Sequence, residues 1–409
     1  AVHELKDRLF LTAYENYTKT TDDKLRNAFE RFAQTEAHWL NDYALFRALK
    51  DANDGIAWHE WEPSLAQRTQ SALERARQQL RQQVEAHMFY QFLFFRQWWA
   101  LKSYANERGV SIVGDLPIFV AHDSADVWTN PEQFKLDKNG KALVVAGVPP
   151  DYFSSTGQLW GNPLYDWRRM QNDGFEWWIE RVRATLRVVD IARVDHFRGF
   201  AACWEIPGGD TTAERGQWVE APGRELFTAI RKALGELPII AEDLGVITPD
   251  VIALREEFGL PGMRVLQFGF GGDPKNIDLP HNYVQNVVAY TGTHDNDTTV
   301  GWFQSVAGEG STRSAKQIER ERKFCMDYLN TDGKEIHWDF IRTVLGSVAN
   351  TAIVPLQDLL GLGTEARMNL PNSTSGNWSW RFQDGTLTDA LAKRLKNLVE
   401  LYGRRATEA

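Results

Sequence analysis

From residue 111 onward the sequence alternates between short apolar segments and longer segments of helical character. Six apolar segments carry this pattern: residues 112–120, 190–197, 238–245, 263–268, 287–295 and 351–359. Strands that alternate with helices imply right-handed parallel crossovers, which are found in doubly wound sheets and in closed barrels. The alternation therefore predicts an α/β fold.

Several of these segments contain an acidic residue near their end: Asp115, Asp195, Glu242 and Asp295. Functional groups at the C-terminal ends of many strands are typical of a (β/α)₈ TIM barrel. A doubly wound nucleotide-binding fold would need a Gly-rich turn, and the sequence contains neither GxGxxG nor GxxxxGK[ST]. We therefore predict a TIM barrel with helical and loop insertions. Because six of eight strands are visible, we also expect the chain to begin after the second barrel strand.

The first hundred residues indicate helices only. Pro63 suits the first position of a long helix, and an apolar stripe predicts that this helix packs in a core; its members are Val84, Met88, Phe92, Phe95 and Trp99. We predict a helical insertion subdomain at 1–108 and a catalytic barrel at 109–409. Within the barrel, residues 121–186 are predicted to form an irregular, aromatic-rich loop or subdomain over the active site, or else a self-packed surface loop.

The composition excludes some classes of partner. A net charge of −9 disfavours nucleic acid and anionic membrane, because no broad cationic surface would attract either. Two cysteines give no disulfide framework and no metal-ligand spacing, which favours reduced thiols in a cytoplasmic protein. The chain contains 16 Trp, and aromatic faces of this kind suit a sugar ligand. The composition does not indicate the oligomeric state.

The stretch Asp190–Gly199, which reads DIARVDHFRG, combines a buried strand with ionisable groups at its end. Side chains alternate along a strand, so Arg193 and Asp195 should lie on the same face. The guanidinium favours the ionised form of a buried carboxylate beside it, as a nucleophile requires. A structural ion pair explains the same residues equally well, because such pairs also perturb ionisation.

Glycosyl transfer with retention of configuration requires two carboxyl groups that are about 5 Å apart. Asp195 suits the ionised partner, and Glu242 suits the protonated partner because three apolar residues precede it. Asp295 would be a third acid beside the positive charge that develops on the sugar. Asp243 and Asp297 are explained more simply by solvation or local capping.

At these residues the sequence resembles a known family. RVDHF, AEDLG and GTHDN resemble the catalytic signatures of the α-amylase clan. GDLPIFVAHDSADVW, GVPPDYFSSTGQLWGNPLYDW and ARMNLPNST resemble glycoside hydrolase family 77, the 4-α-glucanotransferases called amylomaltase or disproportionating enzyme. The resemblance implies that Asp195 is the nucleophile, Glu242 the general acid/base and Asp295 the transition-state stabiliser.

The resemblance also implies substrate contacts. Arg193, His294 and Asp115 would contact the donor sugar or position the nucleophile, and we expect His196 to bind substrate as well. Three aromatic residues of the long loop would shape the acceptor side: Tyr152, Phe153 and Trp160. The sequence departs from the family in two respects. It lacks the Ser-x-Tyr-x-x-x-Ser and Asn-Pro motifs of the first two barrel units, and it has Pro371-Asn372 where Pro-Gly is expected.

These observations predict a 4-α-glucanotransferase that moves α-1,4-glucan segments between maltodextrins through a covalent glycosyl-enzyme. The expected substrates are maltodextrin or starch-type oligosaccharides. No metal or organic cofactor is expected. The alternatives are an α-glucan hydrolase on the same scaffold, a glucan-binding fragment that has lost catalysis with the missing strands, or an inert structural fragment. The predicted location is the cytoplasm, or the plastid stroma in a plant or alga.

Overall fold

The computed structural model describes residues 2–150, 156–308, 313–371, 373 and 375–405. The chain divides into two compact units, residues 1–239 and 240–409, and the boundary falls inside one short strand. The predicted boundaries at 108 and 109 remain a prediction.

The first unit begins with six helices: α1 (Val2–Lys19), α2 (Asp23–Thr35), α3 (Ala37–Ala52), α4 (Pro63–Ala66), α5 (Gln70–Gln79) and α6 (Arg81–Asn106). Asp22 caps α2, because its carboxylate accepts hydrogen bonds from the backbone N–H groups of Lys24 and Leu25. The predicted long helix at Pro63 is wrong: Pro63 begins a helix of four residues. Arg68 has a φ of 54°, and this left-handed residue separates α4 from α5.

The long apolar stripe lies in the core of these helices, as predicted. Phe89 and Phe92 of α6 are buried against Phe29 and Phe32 of α2. Met88, Phe95 and Trp99 are partly buried and pack on the same cluster. The stripe is therefore a packing surface.

The rest of the first unit contains strands and shorter helices: β1 (Val113–Pro117), α7 (Ala125–Thr129), β2 (Val144–Val148), β3 (Gln158–Pro163), α8 (Trp167–Asn172), α9 (Glu176–Val188), β4 (Ile191–Asp195), β5 (Ala202–Pro207), β6 (Gln217–Glu220), α10 (Gly223–Leu234) and β7 (Ile239–Ala241), which crosses the boundary. β1 pairs in parallel with β4, with Asp115 opposite Arg193 and Pro117 opposite Asp195. Ala192 also donates a backbone hydrogen bond to the carbonyl oxygen of Pro238, directly before β7.

Residues 121–186 contain more regular structure than the sequence predicted. β2 and β3 join β5 and β6 in an antiparallel sheet of order β3-β2-β5-β6, and α7, α8 and α9 lie in the same stretch. The expectation of an irregular loop is wrong for the described residues. The strands are only four to six residues long, and the central pairing, β2 with β5, joins Val145 to the distant Ile206, so local periodicity did not reveal them.

Asp190 connects the helices to the parallel strands. Its carboxylate accepts hydrogen bonds from the backbone N–H of Ile112 at 2.7 Å and from Asn106 Nδ2 at 2.9 Å. Lys102 of α6 forms an ion pair with the same carboxylate. The Ile112 N–H and the Lys102 ammonium lower the pKa of Asp190 to about 2. This carboxylate fixes the end of α6 at the entry to β1 and β4.

The second unit contains α11 (Pro249–Glu257), β8 (Gly262–Val265), β9 (Val287–Tyr290), α12 (Thr299–Gln304), α13 (Ala315–Leu329), α14 (Ile336–Leu345), β10 (Thr351–Ile353), α15 (Leu356–Leu359) and α16 (Asp389–Leu401). β9 lies between β8 and β10 and pairs with both in parallel. Phe270, Val287 and Ala289 pack with Phe340 and Val344 of α14 in its core. Each of the six predicted segments therefore overlaps a strand: β1, β4, β7, β8, β9 and β10.

Candidate active site

Arg193 joins two carboxylates at the end of the parallel strands of the first unit. Its Nη1 donates to both oxygens of Asp115, at 2.7 and 2.8 Å, and its Nη2 lies 3.1 Å from Asp195 Oδ1. The Arg193 side chain is 11% exposed, whereas the side chains of Asp115 and Asp195 are each 43% exposed. The predicted common face of Arg193 and Asp195 is confirmed, but Asp195 is not buried as the sequence indicated. An accessible carboxylate beside a fixed cation can act on a bound sugar.

His196 follows Asp195 in the left-handed conformation, with φ 52° and ψ 50°. Its ring packs edge-on against Trp160 of β3, with 4.8 Å between ring centroids. Burial, with a smaller contribution from the charge of Arg198, lowers the pKa of His196 to about 4. The imidazole is therefore neutral at neutral pH. The structure thus places His196 and Trp160 in contact, whereas the sequence predicted each of them separately as a substrate contact.

Gly199 makes room for this arrangement. A Cβ atom at Gly199 would lie 2.6 Å from Ile118 Cδ1 and 3.2 Å from His196 Cδ2. A larger residue would therefore displace the imidazole or Ile118, the residue that follows β1. Tyr152 and Phe153, which were also predicted to contact substrate, lie outside the described residues.

Glu242 follows the fully buried strand β7 in the second unit. Its Oε1 accepts a hydrogen bond from the backbone N–H of Leu244 at 2.9 Å. This contact holds the carboxyl group over the turn that follows the strand. Ala241 donates a backbone hydrogen bond to the carbonyl oxygen of Pro261, which fixes the end of β7 next to the entry to β8.

Asp243 has a different role from the solvation or capping that the sequence suggested. Its carboxylate is buried and pairs with Arg255 Nη1 at 2.5 Å, and Arg264 Nη1 lies 3.6 Å away. It also accepts the backbone N–H of Met263 at 2.7 Å. Asp243 therefore crosslinks the turn after β7 to β8 and α11. Asp297, by contrast, accepts a hydrogen bond from the backbone N–H of Thr298, which is the local capping contact expected. It also accepts one from the hydroxyl of Thr364, a residue distant in sequence.

Asp295 is held by a segment that the sequence did not assign to the site. Asn369 Nδ2 donates to Asp295 Oδ1 at 2.6 Å, and Arg367 Nη2 donates to the Asp295 carbonyl oxygen at 2.7 Å. His294 Nε2 lies 3.4 Å from Asp295 Oδ2. Arg367 and Asn369 belong to the motif ARMNLPNST, so the motif was the signal that could have identified them. Asn372 of that motif lies outside the described residues.

Comparison with known proteins identifies the family. The sequence model of glycoside hydrolase family 77, described as 4-alpha-glucanotransferase, matches residues 1–388. The chain belongs to glycoside hydrolase family 77. The predicted enzyme class, a 4-α-glucanotransferase, is confirmed at the level of the family.

Individual family 77 relatives cover nearly the whole chain. A 4-alpha-glucanotransferase of Synechocystis is 51% identical over 98% of this chain and 78% of its own length. A chloroplastic/amyloplastic 4-alpha-glucanotransferase of Solanum tuberosum is 44% identical, over 98% and 69% respectively. The structure of an amylomaltase from Streptococcus agalactiae in complex with acarbose superposes with a TM-score of 0.92 at 39% identity, over 98% and 79%. This match confirms the predicted α/β TIM-barrel fold class.

Two further observations concern other kinds of site. Among the described residues, no group of three or more His, Cys, Asp and Glu side chains is arranged to hold a metal ion. In the same part of the chain, no helix has the length and apolar character needed to cross a bilayer.

Proposed function

We propose that this family 77 chain transfers α-1,4-glucan segments between maltodextrins by a retaining double displacement. Asp195 attacks the anomeric carbon of the donor, and the glycosidic bond to the leaving glucan breaks as the glycosyl-enzyme bond forms. Glu242 gives its proton to the departing 4-oxygen. It then removes the proton from the 4-hydroxyl of an acceptor glucan, which attacks the same carbon and releases Asp195.

The observation that carries this proposal is the arrangement of Arg193 between Asp115 and Asp195. A nucleophilic carboxylate must be ionised and must also be reachable by the sugar. The guanidinium 3.1 Å from Asp195 favours the ionised form, and the 43% exposure of the side chain provides the access. A purely structural ion pair would not require such access for both of its acids.

We assign the remaining roles to Glu242 and Asp295. Glu242 Oε1 accepts a hydrogen bond from the backbone N–H of Leu244 in the following turn. In the proposed mechanism the Glu242 carboxyl group exchanges a proton with substrate. We assign Asp295 to stabilise the positive charge that develops on the sugar during transfer. The contacts from Asn369 and Arg367 hold Asp295 in place before the substrate reacts, so that its carboxylate need not reorient during transfer in the proposed mechanism.

The proposed substrates are maltodextrins. The relative from Streptococcus agalactiae was solved with acarbose bound, and that ligand supports an oligosaccharide site in this chain as well. Trp160, which is 38% exposed and stands against His196, would contact the acceptor glucan. For the cellular location we propose the cytoplasm, or a plastid as in the potato relative. Cys203 and Cys325 are both buried and free, which suits a reducing compartment.

The test is incubation of the chain with maltotriose, followed by analysis of product lengths. Transfer yields a ladder of longer maltodextrins together with glucose. Asp195→Asn should lower the rate by several orders of magnitude, because the amide cannot form the glycosyl-enzyme. Asp384→Asn, at an exposed position, is the matched control and should transfer at the wild-type rate. Retention of more than about a tenth of the rate in Asp195→Asn would refute the nucleophile assignment.

Two alternatives give different products. A hydrolase would release reducing ends in proportion to donor consumed, even with abundant acceptor, and would form no longer chains. A glucan-binding protein without catalysis would bind maltodextrin and leave maltotriose unchanged, and Asp195→Asn would then make no difference.

A further inference from the structure

Trp378 is an exposed aromatic residue in an unusual backbone conformation. Its φ is 57°, in the left-handed region, and 60% of the residue is exposed. A bulky residue is rarely found in this region, where Gly and Asn are favoured. Gly376 and Asn377 immediately precede it, so the segment already contains residue types that suit such a turn. Strained residues of this kind persist where the surroundings fix them, and they concentrate at functional sites.

Several contacts fix Trp378 and the segment that carries it. Its backbone N–H donates to the carbonyl oxygen of Met368 at 2.8 Å. Asn377 accepts a hydrogen bond from the backbone N–H of Leu370 at 2.9 Å and donates to the carbonyl oxygens of Leu370 and Ser373. The tryptophan therefore projects from an internally bonded loop, and its exposure does not come from a loose segment of chain.

The indole ring lies against His294. The two ring centroids are 5.1 Å apart, with an angle of 39° between the planes. His294 in turn lies beside Asp295, and Asn369 of the same loop donates to Asp295. The imidazole of His294 therefore contacts both the exposed indole of Trp378 and Asp295, the predicted transition-state stabiliser.

We propose that Trp378 is a glucan-binding residue, whose indole stacks on a glucose ring adjacent to the one that reacts. This inference rests on the proposed function, because it places that glucose ring in the same bound glucan. The C–H groups of glucose form an apolar face that matches an indole. The neighbouring polar groups of His294 and Asp295 suit hydroxyl groups at the rim of the same sugar.

A role in loop anchoring alone makes a different prediction. The hydrogen bond from the Trp378 backbone to Met368 does not need the indole, so an anchoring residue could be replaced without loss of affinity for glucan. Trp378→Ala removes the ring and keeps the unfavourable backbone conformation. Trp378→Gly removes the ring and relieves that conformation. If Trp378 stacks on glucan, both variants should lose affinity for glucan, and Trp378→Phe should keep most of that affinity.

The experiment is calorimetric titration of maltoheptaose into chains that carry Asp195→Asn, so that no turnover occurs. We expect Trp378→Ala and Trp378→Gly each to bind about tenfold more weakly, and Trp378→Phe within about threefold of the parent. Phe382→Ala is the matched control, because Phe382 is also exposed, at 48%, and follows in the same part of the chain. Thermal unfolding of each variant checks that it folds.

The outcomes separate this inference from the proposed function. Equal affinity of Trp378→Gly and the parent would overturn the stacking role, even if the wild type transfers glucan. Weaker binding in the Gly and Ala variants with no transfer by the wild type would support stacking and refute the transferase mechanism. An absence of both binding and transfer would overturn both.

Discussion

Asp243 and Arg255 form a buried ion pair, with 2.5 Å between Oδ2 and Nη1, at the residue that follows Glu242. Both side chains are less than a tenth exposed. Gly262 of β8 leaves the space for this pair, because a Cβ atom there would lie 2.3 Å from Arg255 Nη1 and 2.5 Å from Asp243 Oδ2. The turn that carries the predicted general acid/base is therefore fixed by charge as well as by backbone hydrogen bonds.

Asp243→Asn should destabilise the protein strongly. The substitution keeps the size of the side chain but leaves Arg255 and Arg264 without their buried anion. Loss of one partner of a buried pair costs about 3 to 5 kcal/mol. Chemical denaturation measures the change in the free energy of unfolding. Asp384→Asn serves as the exposed control, expected within about 0.5 kcal/mol of wild type. An equally small change in Asp243→Asn would mean that the pair contributes nothing to the fold.

Arg193→Lys should lower the transfer rate by about a hundredfold. Lysine keeps the positive charge, but its single ammonium cannot match the planar fork that contacts Asp115 and Asp195 together. Initial rates on maltotriose measure the effect. Arg394→Lys is the matched control, because Arg394 forms a bidentate ion pair with Glu335 on the surface. We expect its rate within about twofold of wild type, and comparable losses in both variants would argue against a special role for Arg193.

His196→Asn should change how stability depends on pH. The lowered pKa of His196, about 4, means that the unfolded chain binds more protons than the folded chain between that value and the ordinary pKa near 6.5. His196 therefore makes the protein less stable as the pH falls from about 6.5 to 4. Asparagine tolerates the left-handed backbone, so the variant should fold and lack this component.

The measurement is the melting temperature of both proteins at intervals from pH 7 to pH 4. Burial raises the pKa of Asp278 to about 6, and this group acts in the opposite direction. Asp278 is present in both proteins, so the difference between them isolates His196. Parallel curves would show that the pKa of His196 is the same in the folded and the unfolded chain.

Asp190→Asn should lower stability at neutral pH and make little difference in strong acid. A carboxyl group whose folded pKa is about 2 contributes stability above its ordinary pKa near 4, and this contribution disappears as the pH falls through 2. At pH 7 we expect a melting temperature lower by a few degrees, at roughly 1 to 2 °C per kcal/mol for a chain of this size. The gap between wild type and variant should narrow below about pH 3. A gap that is constant with pH would indicate lost packing, without a contribution from charge.

Much of the site could be predicted because its signals are local. Arg193 and Asp195 are two residues apart on one strand, so alternation alone places their side chains on the same face. Asp195, Glu242 and Asp295 each end or follow a short apolar run in the sequence. These runs locate the end of β4, the end of β7 and the segment after β9, and no tertiary contact is needed to find them. The segments that contain the six parallel strands were located for the same reason, since buried strands appear as continuous apolar runs.

What the sequence could not supply is the set of partners that lie far along the chain. Asn369 reaches Asp295 across 74 residues, and Arg193 meets Asp115 across 78. The antiparallel sheet of β2, β3, β5 and β6 pairs residues around position 145 with residues around position 206. No periodicity encodes such pairs, because their energy depends on burial and on hydrogen bonds that exist only after the chain has folded.

The sequence by itself therefore determined which residues carry charge, which face of each strand they occupy and which family the motifs resemble. Only the tertiary structure decided that Asp195 is accessible, that Asp243 is a buried crosslink and that Trp378 stands against His294. The physical reason is that a local pattern sets the direction of a side chain, whereas its exposure, ionisation and partners are set by the groups that folding brings around it.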